Sequence, residues 1–263
     1  MKTPIAYYGG KQNMLRHILP NIPTHRIYTE SFFGGGAVFF AKKPSESEII
    51  NDVNHMVMNF FEIAKTSFNS LQLKVETTLF SRATYSVAWS IYRMPHLFSP
   101  LQQAWAFYVA TNMGFGSRIG SWGLDKYGKR AKSFLNKKMA FDQSVPRRLE
   151  SAQIETGNAV KVILQYDTPD TFHYIDPPYI HTDMGHYKGY SIDQYKELLE
   201  TLVALKGKFL LSGFPNPILD KYIKKQGWYL QSYNKTKSAV KAEFGKPRLA
   251  RKTEVLVANY PIT

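Results

Sequence analysis

The chain carries two kinds of hydrophobic pattern. Short apolar runs bounded by turn residues occupy both ends, and longer stretches of helix formers and aromatics fill the middle. Near the start, Arg26-Ile27-Tyr28-Thr29-Glu30 predicts a strand running into Gly34-Gly35-Gly36. Residues 37–42 predict the first turns of a helix, Glu48-Ile49-Ile50-Asn51-Asp52 a second strand, and residues 54–67 a further helix. This β-loop-α-β opening marks a parallel α/β sheet. From residue 71 strand signals fade. Gly114-Phe115-Gly116-Ser117-Arg118-Ile119-Gly120-Ser121-Trp122-Gly123 then predicts a loop. From residue 152 the α/β rhythm returns. Strands are expected at 152–156, 172–175 and 208–212, with helices at 159–166, 192–206 and 217–226. Residues 228–235 and 254–260 are expected to form a closing antiparallel pair. No internal repeat interrupts this order. The simplest organisation is one α/β core, residues 1–55 and 151–263, interrupted by a mostly helical insertion over 56–150.

Composition narrows the class. With 263 residues and 44% hydrophobic content, the chain can bury a proper core. Lysine and arginine number 34 against 20 acids, a formal charge of +14 and a pI near 9.7. Such a charge points to a polyanion partner, because neutralised phosphates drive binding to nucleic acid. A merely soluble basic protein could carry the same charge. The absence of cysteine removes disulfides, thiolate metal sites and cysteine nucleophiles, and fits a reducing cytosol. No apolar run approaches the roughly 20 residues of a membrane helix, and MKTPIAYYGGKQ lacks the apolar region of a signal peptide. A cytoplasmic protein is therefore expected. His55, His173, His181 and His186 lack metal-ligand spacing, so no metal is expected.

Four segments carry candidate chemistry. Phe32-Phe33-Gly34-Gly35-Gly36 lies between a strand and a helix, where backbone can approach a ligand closely. Phe39 occupies the last glycine position of a G-x-G-x-x-G pattern, which disfavours a pyrophosphate cofactor and suits a nucleoside-like one. A tight β–α turn would use the same residues. Asp52, ending the second strand, could accept hydrogen bonds from ribose hydroxyls or cap a helix. Tyr7-Tyr8-Gly9-Gly10-Lys11 offers a small polar pocket wall or a surface turn. Asp176-Pro177-Pro178-Tyr179 follows a buried-strand pattern. Its carboxylate and the Pro177 carbonyl could hold both hydrogens of a nucleobase amine, with Tyr179 stacked on a flipped base; a proline-rich turn is the bland alternative. Segment 114–148 holds Arg118, Lys126, Lys129, Arg130, Lys132, Lys137, Lys138, Arg147 and Arg148 against only Asp125 and Asp142. It could track phosphates, with Phe115, Trp122 and Tyr127 available to stack or wedge. Arg118 and Arg130 could read guanine or contact phosphate. A second basic stretch spans Lys235, Lys237, Lys241, Lys246, Arg248, Arg251 and Lys252.

The combination is more specific than its parts. YYGGK at 7–11, ESFFGGGAVFF at 30–40, IINDVN at 49–54, DPPY at 176–179 and KTEVLVANY at 252–260 occur in that order. Together they resemble the Dam-like DNA adenine N6-methyltransferases of the alpha group. The resemblance spans nearly the whole chain and is weakest in the middle. It implies a Rossmann-like S-adenosylmethionine-dependent core, a target-recognition insertion, double-stranded DNA as partner, and a bacterial or phage source, with a cognate restriction enzyme a further possible partner. By position, it implies that Tyr8, Lys11, Phe32, Gly34, Gly36, Asp52 and Asn158 hold the cofactor and that Asp176, Pro177 and Tyr179 form the catalytic loop. Two positions depart from the pattern. Ser31 stands where proline is common, and Asn158 where an acid usually contacts the cofactor's adenine amine. Arg118, Lys126, Lys129, Arg130 and Lys132 are the expected DNA contacts. Cytosine-N4 methylation, an inactive DNA-binding relative, and methylation of RNA or of a protein amine remain the alternatives.

Overall fold

The strands expected at the two ends of the chain meet in one sheet. The computed structural model describes residues 1–179, 190–236 and 251–263, without the side chains of Lys235, Thr236, Arg251 and Lys252. The first part runs α1 (Leu15–Ile18), β1 (Ile27–Glu30), α2 (Ala37–Ala41) and β2 (Ser47–Asn51). Six helices follow: α3 (His55–Thr66), α4 (Phe68–Glu76), α5 (Arg82–Arg93), α6 (Pro100–Met113), α7 (Lys129–Met139) and α8 (Ser144–Leu149). The chain then returns through β3 (Ala152–Glu155), α9 (Ala159–Gln165), β4 (Thr171–Ile175), α10 (Ile192–Val203), β5 (Lys208–Gly213), α11 (Pro217–Gln226), β6 (Tyr229–Thr236) and β7 (Arg251–Ala258).

The seven strands lie in the order β3-β2-β1-β4-β5-β7-β6. The first five are parallel, and β7 runs antiparallel to both β5 and β6. Parallel strands covered on both faces need apolar side chains on both, and β4 is buried at every position from Thr171 to Ile175. From β1 the chain winds outward through β2 to β3. It then crosses back to place β4 on the other side of β1. That reversal is a topological switch point, where a crevice opens beyond the carboxyl ends of the strands. The loops after β1 and after β4 flank it.

Local chemistry sets the helix ends. Ser99 and Gln102 form a capping box at the start of α6, with Pro100 at the first helical position. Ser191 and Gln194 do the same for α10. Asn216 caps α11, which stops at Gly227 in a left-handed conformation (φ 67°). The helices between β2 and β3 share their core with the sheet. Phe39 and Phe40 of α2, Phe60 and Phe61 of α3, Phe107 and Tyr108 of α6, and Phe141 belong to one apolar cluster. Helix α6 is buried without a break from Ala106 to Met113, so it is the centre of that layer.

A buried ionic cluster pins the end of the helical segment to the sheet. Glu48 of β2 receives Lys42 and both outer nitrogens of Arg148, with no exposure of its own side chain. The Arg148 guanidinium also donates to the Phe39 carbonyl at 2.8 Å and lies 3.5 Å from the centre of the Phe39 ring. Burial pushes the Glu48 carboxyl up, but the two cations outweigh it and hold it below the usual range. Arg148 therefore faces the core and takes no part in a basic surface. Among the described residues, no helix is long and apolar enough to cross a membrane.

Candidate active site

The crevice at the switch point collects four of the segments singled out in the sequence. A narrow cavity of about 50 Å³ is walled by Tyr7, Lys11, Gly34, Gly36 and the loop Asp176–Tyr179. It shares Phe32 and Pro178 with a larger chamber of about 460 Å³ lined by Asp52, Asn54, Asn158 and Tyr190. The two compartments form a neck and a chamber.

The glycine loop is tight because aromatic rings press on it. Gly34 (φ +48°) and Gly36 (φ +64°) adopt conformations that side chains resist. An added Cβ would stand 2.8 Å from the Tyr7 ring at Gly34 and 2.4 Å from Phe33 Cζ at Gly36. Asp52 braces the loop from below. One carboxylate oxygen accepts from Gly34 N at 2.8 Å and the other from Asn54 N at 2.8 Å. The cap of α3 is Asn54, which accepts from Met56 N at 3.1 Å. Asp52 itself is 2% exposed but reaches the chamber wall. Changing Gly36 to alanine is expected to displace Phe33 and shift the loop. S-adenosylhomocysteine affinity, read by calorimetry, should drop at least about tenfold, the equivalent of 1.4 kcal/mol, while an unchanged affinity would mean the loop does not wall a ligand site.

Lys11 sits at the junction of the neck and the Asp176–Tyr179 loop. Its ammonium pairs with Asp176 Oδ1 at 2.7 Å, donates to Tyr179 Oη at 2.6 Å and reaches Gly9 O at 3.3 Å. Side-chain exposure is 4% for Lys11 and 18% for Asp176. Burial alone would lower the lysine pKa, yet the Asp176 and Tyr179 oxygens, with Glu254 behind them, raise it above its ordinary value. Burial and the Asp176 charge push the Tyr179 hydroxyl up, so it stays protonated. The Tyr179 ring packs on Phe214 with centroids 4.0 Å apart at 36°. Phe214 directly follows β5, which hydrogen-bonds to β4.

Glu30 forms part of the neck and is a site residue the sequence reading passed over. It is 3% exposed and accepts from Tyr28 Oη at 2.6 Å and Phe39 N at 3.0 Å. Burial raises its pKa from 4.5 to about 8, against the pull of those hydrogen bonds. In sequence it is only an acid at the end of a strand pattern, four positions before Gly34. Between about pH 4.5 and about pH 8 the unfolded chain has lost this proton while the folded chain keeps it, so the group lowers stability as pH rises through that window. Glu30→Gln keeps both hydrogen bonds and should flatten the fall in melting temperature across that range. Parallel curves for the two proteins would show that Glu30 does not titrate as its burial implies.

The remaining sequence candidates separate into two groups. Asn158 lies at the chamber, where its side-chain oxygen caps α9 by accepting from Lys161 N at 3.1 Å. Arg118 covers the Tyr8 ring at 4.9 Å and donates to Tyr8 Oη at 3.1 Å, which places the 114–123 loop at the mouth of the neck. Lys126, Lys129 and Lys132 are exposed, as are Phe115 and Tyr127 at 57% and 78%. Arg130 turns inward, donating to Gly114 O at 2.7 Å beside the Phe115 ring. Lys137 and Lys138 also turn inward, to Asn112 Oδ1 and Thr78 O at 2.9 Å each. Trp122 packs on Phe80 and Tyr85. Residues 237–250 of the second basic stretch, and His181 and His186, lie outside the described residues. Among the described residues, no group of three acids or histidines is arranged to hold a metal ion.

Comparison with known proteins names the class these features define. The D12 class N6 adenine-specific DNA methyltransferase family matches residues 7–237. The chain belongs to that family, which methylates the N6 amine of adenine in DNA, and the sheet and its helices are a Rossmann-like methyltransferase core. Adenine specificity decides the choice against cytosine-N4 chemistry. Over 274 residues the chain is 26% identical to the Type II methyltransferase M1.LlaDCHI of Lactococcus lactis subsp. cremoris, covering 96% of this chain and 93% of that one. A solved structure, the precorrin 8W decarboxylase of Methanobacterium thermoautotrophicum, overlays with a TM-score of 0.39 at 8% identity, over 94% of this chain and 87% of the other. A likeness that loose carries no argument.

Proposed function

We propose that this protein transfers a methyl group from S-adenosylmethionine to the N6 amine of an adenine swung out of double-stranded DNA, with Asp176, Pro177 and Tyr179 as the catalytic loop. The observation that carries the reading is the meeting of that loop with a glycine-walled neck that adjoins a chamber of about 460 Å³ at Phe32 and Pro178. The residues fit the cofactor. The neck suits a slender amino-acid arm, with Glu30 and Lys11 in its wall and close backbone at Gly34 and Gly36. The chamber suits a nucleoside, with Asp52 toward the ribose and Asn158 toward the base. When bound, S-adenosylmethionine supplies an electrophilic methyl on sulfur.

The chain's own residues do the rest. An aromatic amine is a poor nucleophile because its lone pair is delocalised into the ring. Hydrogen bonds from that amine to the Asp176 carboxylate and the Pro177 carbonyl favour a tetrahedral nitrogen whose lone pair faces the neck. Lys11 pairs with Asp176 and fixes its orientation, and a carboxylate accepts about four hydrogen bonds, so the pair with Lys11 does not exhaust it. Tyr179 stacks on the flipped base. The gain comes from placement and fixed dipoles rather than from a tuned general base, and the proton released from the amine passes to water at the mouth.

The segment 56–150 serves as the target-recognition region. Arg118, Lys126, Lys129 and Lys132 meet the DNA backbone or base edges, and Arg130 supports the loop that carries Arg118. Exposed Phe115 and Tyr127 are placed to stack or wedge at the gap left by the adenine. The Type II relative favours a cognate restriction enzyme as partner. Unmethylated bacterial DNA treated with the protein and sequenced for N6-methyladenine tests the reading. Methylation confined to one short motif supports a recognition insertion. Adenines modified without regard to context would mean that the insertion grips DNA and does not read it.

Asn158 gives a finer test. Its oxygen already accepts one hydrogen bond as the α9 cap, so a single neutral lone pair is left to accept from an adenine amine, and its NH2 can only oppose that donor. Asn158→Asp supplies a second acceptor oxygen and keeps the cap. S-adenosylhomocysteine should bind roughly tenfold more tightly, as a charge-assisted hydrogen bond allows. Equal affinity for the two proteins would remove Asn158 from the cofactor site.

A further inference from the structure

The chamber is not built by the α/β core alone. Tyr92, in the last turn of α5, lines it beside Phe32, Asp52 and Asn54. Two aromatic rings lie nearly parallel to the Tyr92 ring. Trp89, one turn earlier, lies parallel to it with centroids 5.8 Å apart at 15°, and Phe107 of α6 lies 6.4 Å away at 21°. Asn54 and Asp52, which both bear on the Tyr92 hydroxyl, line the same chamber.

The Tyr92 hydroxyl lies near Asn54, whose side chain favours the ionised form of the phenol and so faces it as a donor. A phenol beside a donor has its own proton for another partner. Asp52 lies close enough for its charge to raise the Tyr92 pKa, on top of the larger effect of burial. A hydroxyl donor from α5 and a carboxylate from the end of β2 thus share one corner of the chamber. A ribose diol is the chemistry that takes both, one hydroxyl donating to the carboxylate and the other accepting from the phenol.

We propose that Tyr92 is a cofactor-binding residue supplied by the insertion, its hydroxyl donating to a ribose hydroxyl of the nucleoside whose other hydroxyl is held by Asp52. This rests on the reading that the chamber takes the nucleoside half of S-adenosylmethionine. The cofactor site is then complete only when α5 is packed against the core, so the same helical layer that carries the DNA-facing loop also closes on the cofactor.

The test is calorimetric binding of S-adenosylhomocysteine, and of its 2′-deoxy and 3′-deoxy ribose analogues, to wild type and to Tyr92→Phe. The variant keeps the ring beside Trp89 and Phe107, and its melting curve checks the fold. Tyr92→Phe should weaken S-adenosylhomocysteine about fivefold, within the range of one neutral hydrogen bond. The loss should vanish with the deoxy analogue that lacks the contacted hydroxyl and persist with the other. An unchanged affinity for S-adenosylhomocysteine overturns the inference and leaves the functional reading standing. An equal loss with all three ligands also overturns it, because the hydroxyl then acts through the fold. Failure of the wild type to bind S-adenosylhomocysteine sinks the functional reading and this inference with it.

Discussion

Replacing Asp176 with alanine is expected to reduce methyl transfer on the order of 10³-fold, the scale set by removing one preorganised polar group from a reacting centre. Two losses combine in that number. In the proposed mechanism the amine loses the acceptor that tilts its lone pair toward the methyl, and Lys11 loses the partner it meets at 2.7 Å. Lys11 has a side-chain exposure of 4%, so alanine also leaves a nearly buried cation without its carboxylate, and some stability goes too. Asp176→Asn separates these effects. It keeps an acceptor oxygen and the shape of the loop, and removes the charge. We expect it to bind S-adenosylhomocysteine nearly as wild type does while transferring methyl far more slowly. Turnover within a few-fold of wild type in both variants would remove Asp176 from the catalytic role.

The largest expected loss of stability lies away from the site. Glu48→Ala should cost about 3–5 kcal/mol, because it strands Lys42 and Arg148 in a core where they have one shared anion. For a chain of this size that corresponds to a fall of roughly 10 °C in melting temperature. Arg26→Ala is the internal comparison. It removes an ion pair with Glu46 whose side chains are 68% and 64% exposed, and should change the melting temperature little. Similar shifts for the two variants would mean that the Glu48 cluster is not the tie between α8 and the sheet.

What the sequence made legible was what local pattern controls. The runs at 26–30, 48–52 and 172–175 carry apolar centres bounded by polar and turn residues, and the structure places them side by side as β1, β2 and β4. The loop at 114–123 was legible for the same reason. The expected closing pair appears as β6 and β7 in antiparallel register.

Contacts made across long separations were not legible. Lys11 looks like a pocket lysine in sequence, but it spans 168 positions to reach Tyr179 and pairs with Asp176. Arg148 sits among surface-like basic residues, and only the fold shows that it faces Glu48, 100 positions away. Arg130 and Trp122 were candidates for DNA contact on composition, and each turns instead to its own loop or layer. Glu30 was hidden because a strand-ending acid reads as ordinary surface chemistry until its burial is known. Tyr92 was hidden among the aromatics of a helical segment, with nothing local to say that it would line the chamber.

The most direct test of the account is transfer of labelled methyl from S-adenosylmethionine to unmethylated duplex DNA, followed by digestion to nucleosides. The account predicts label in N6-methyladenosine's deoxy form alone, lost in Asp176→Ala. Label in N4-methylcytosine, label in RNA or protein in preference to duplex DNA, or no label from a protein shown to bind the cofactor would contradict it.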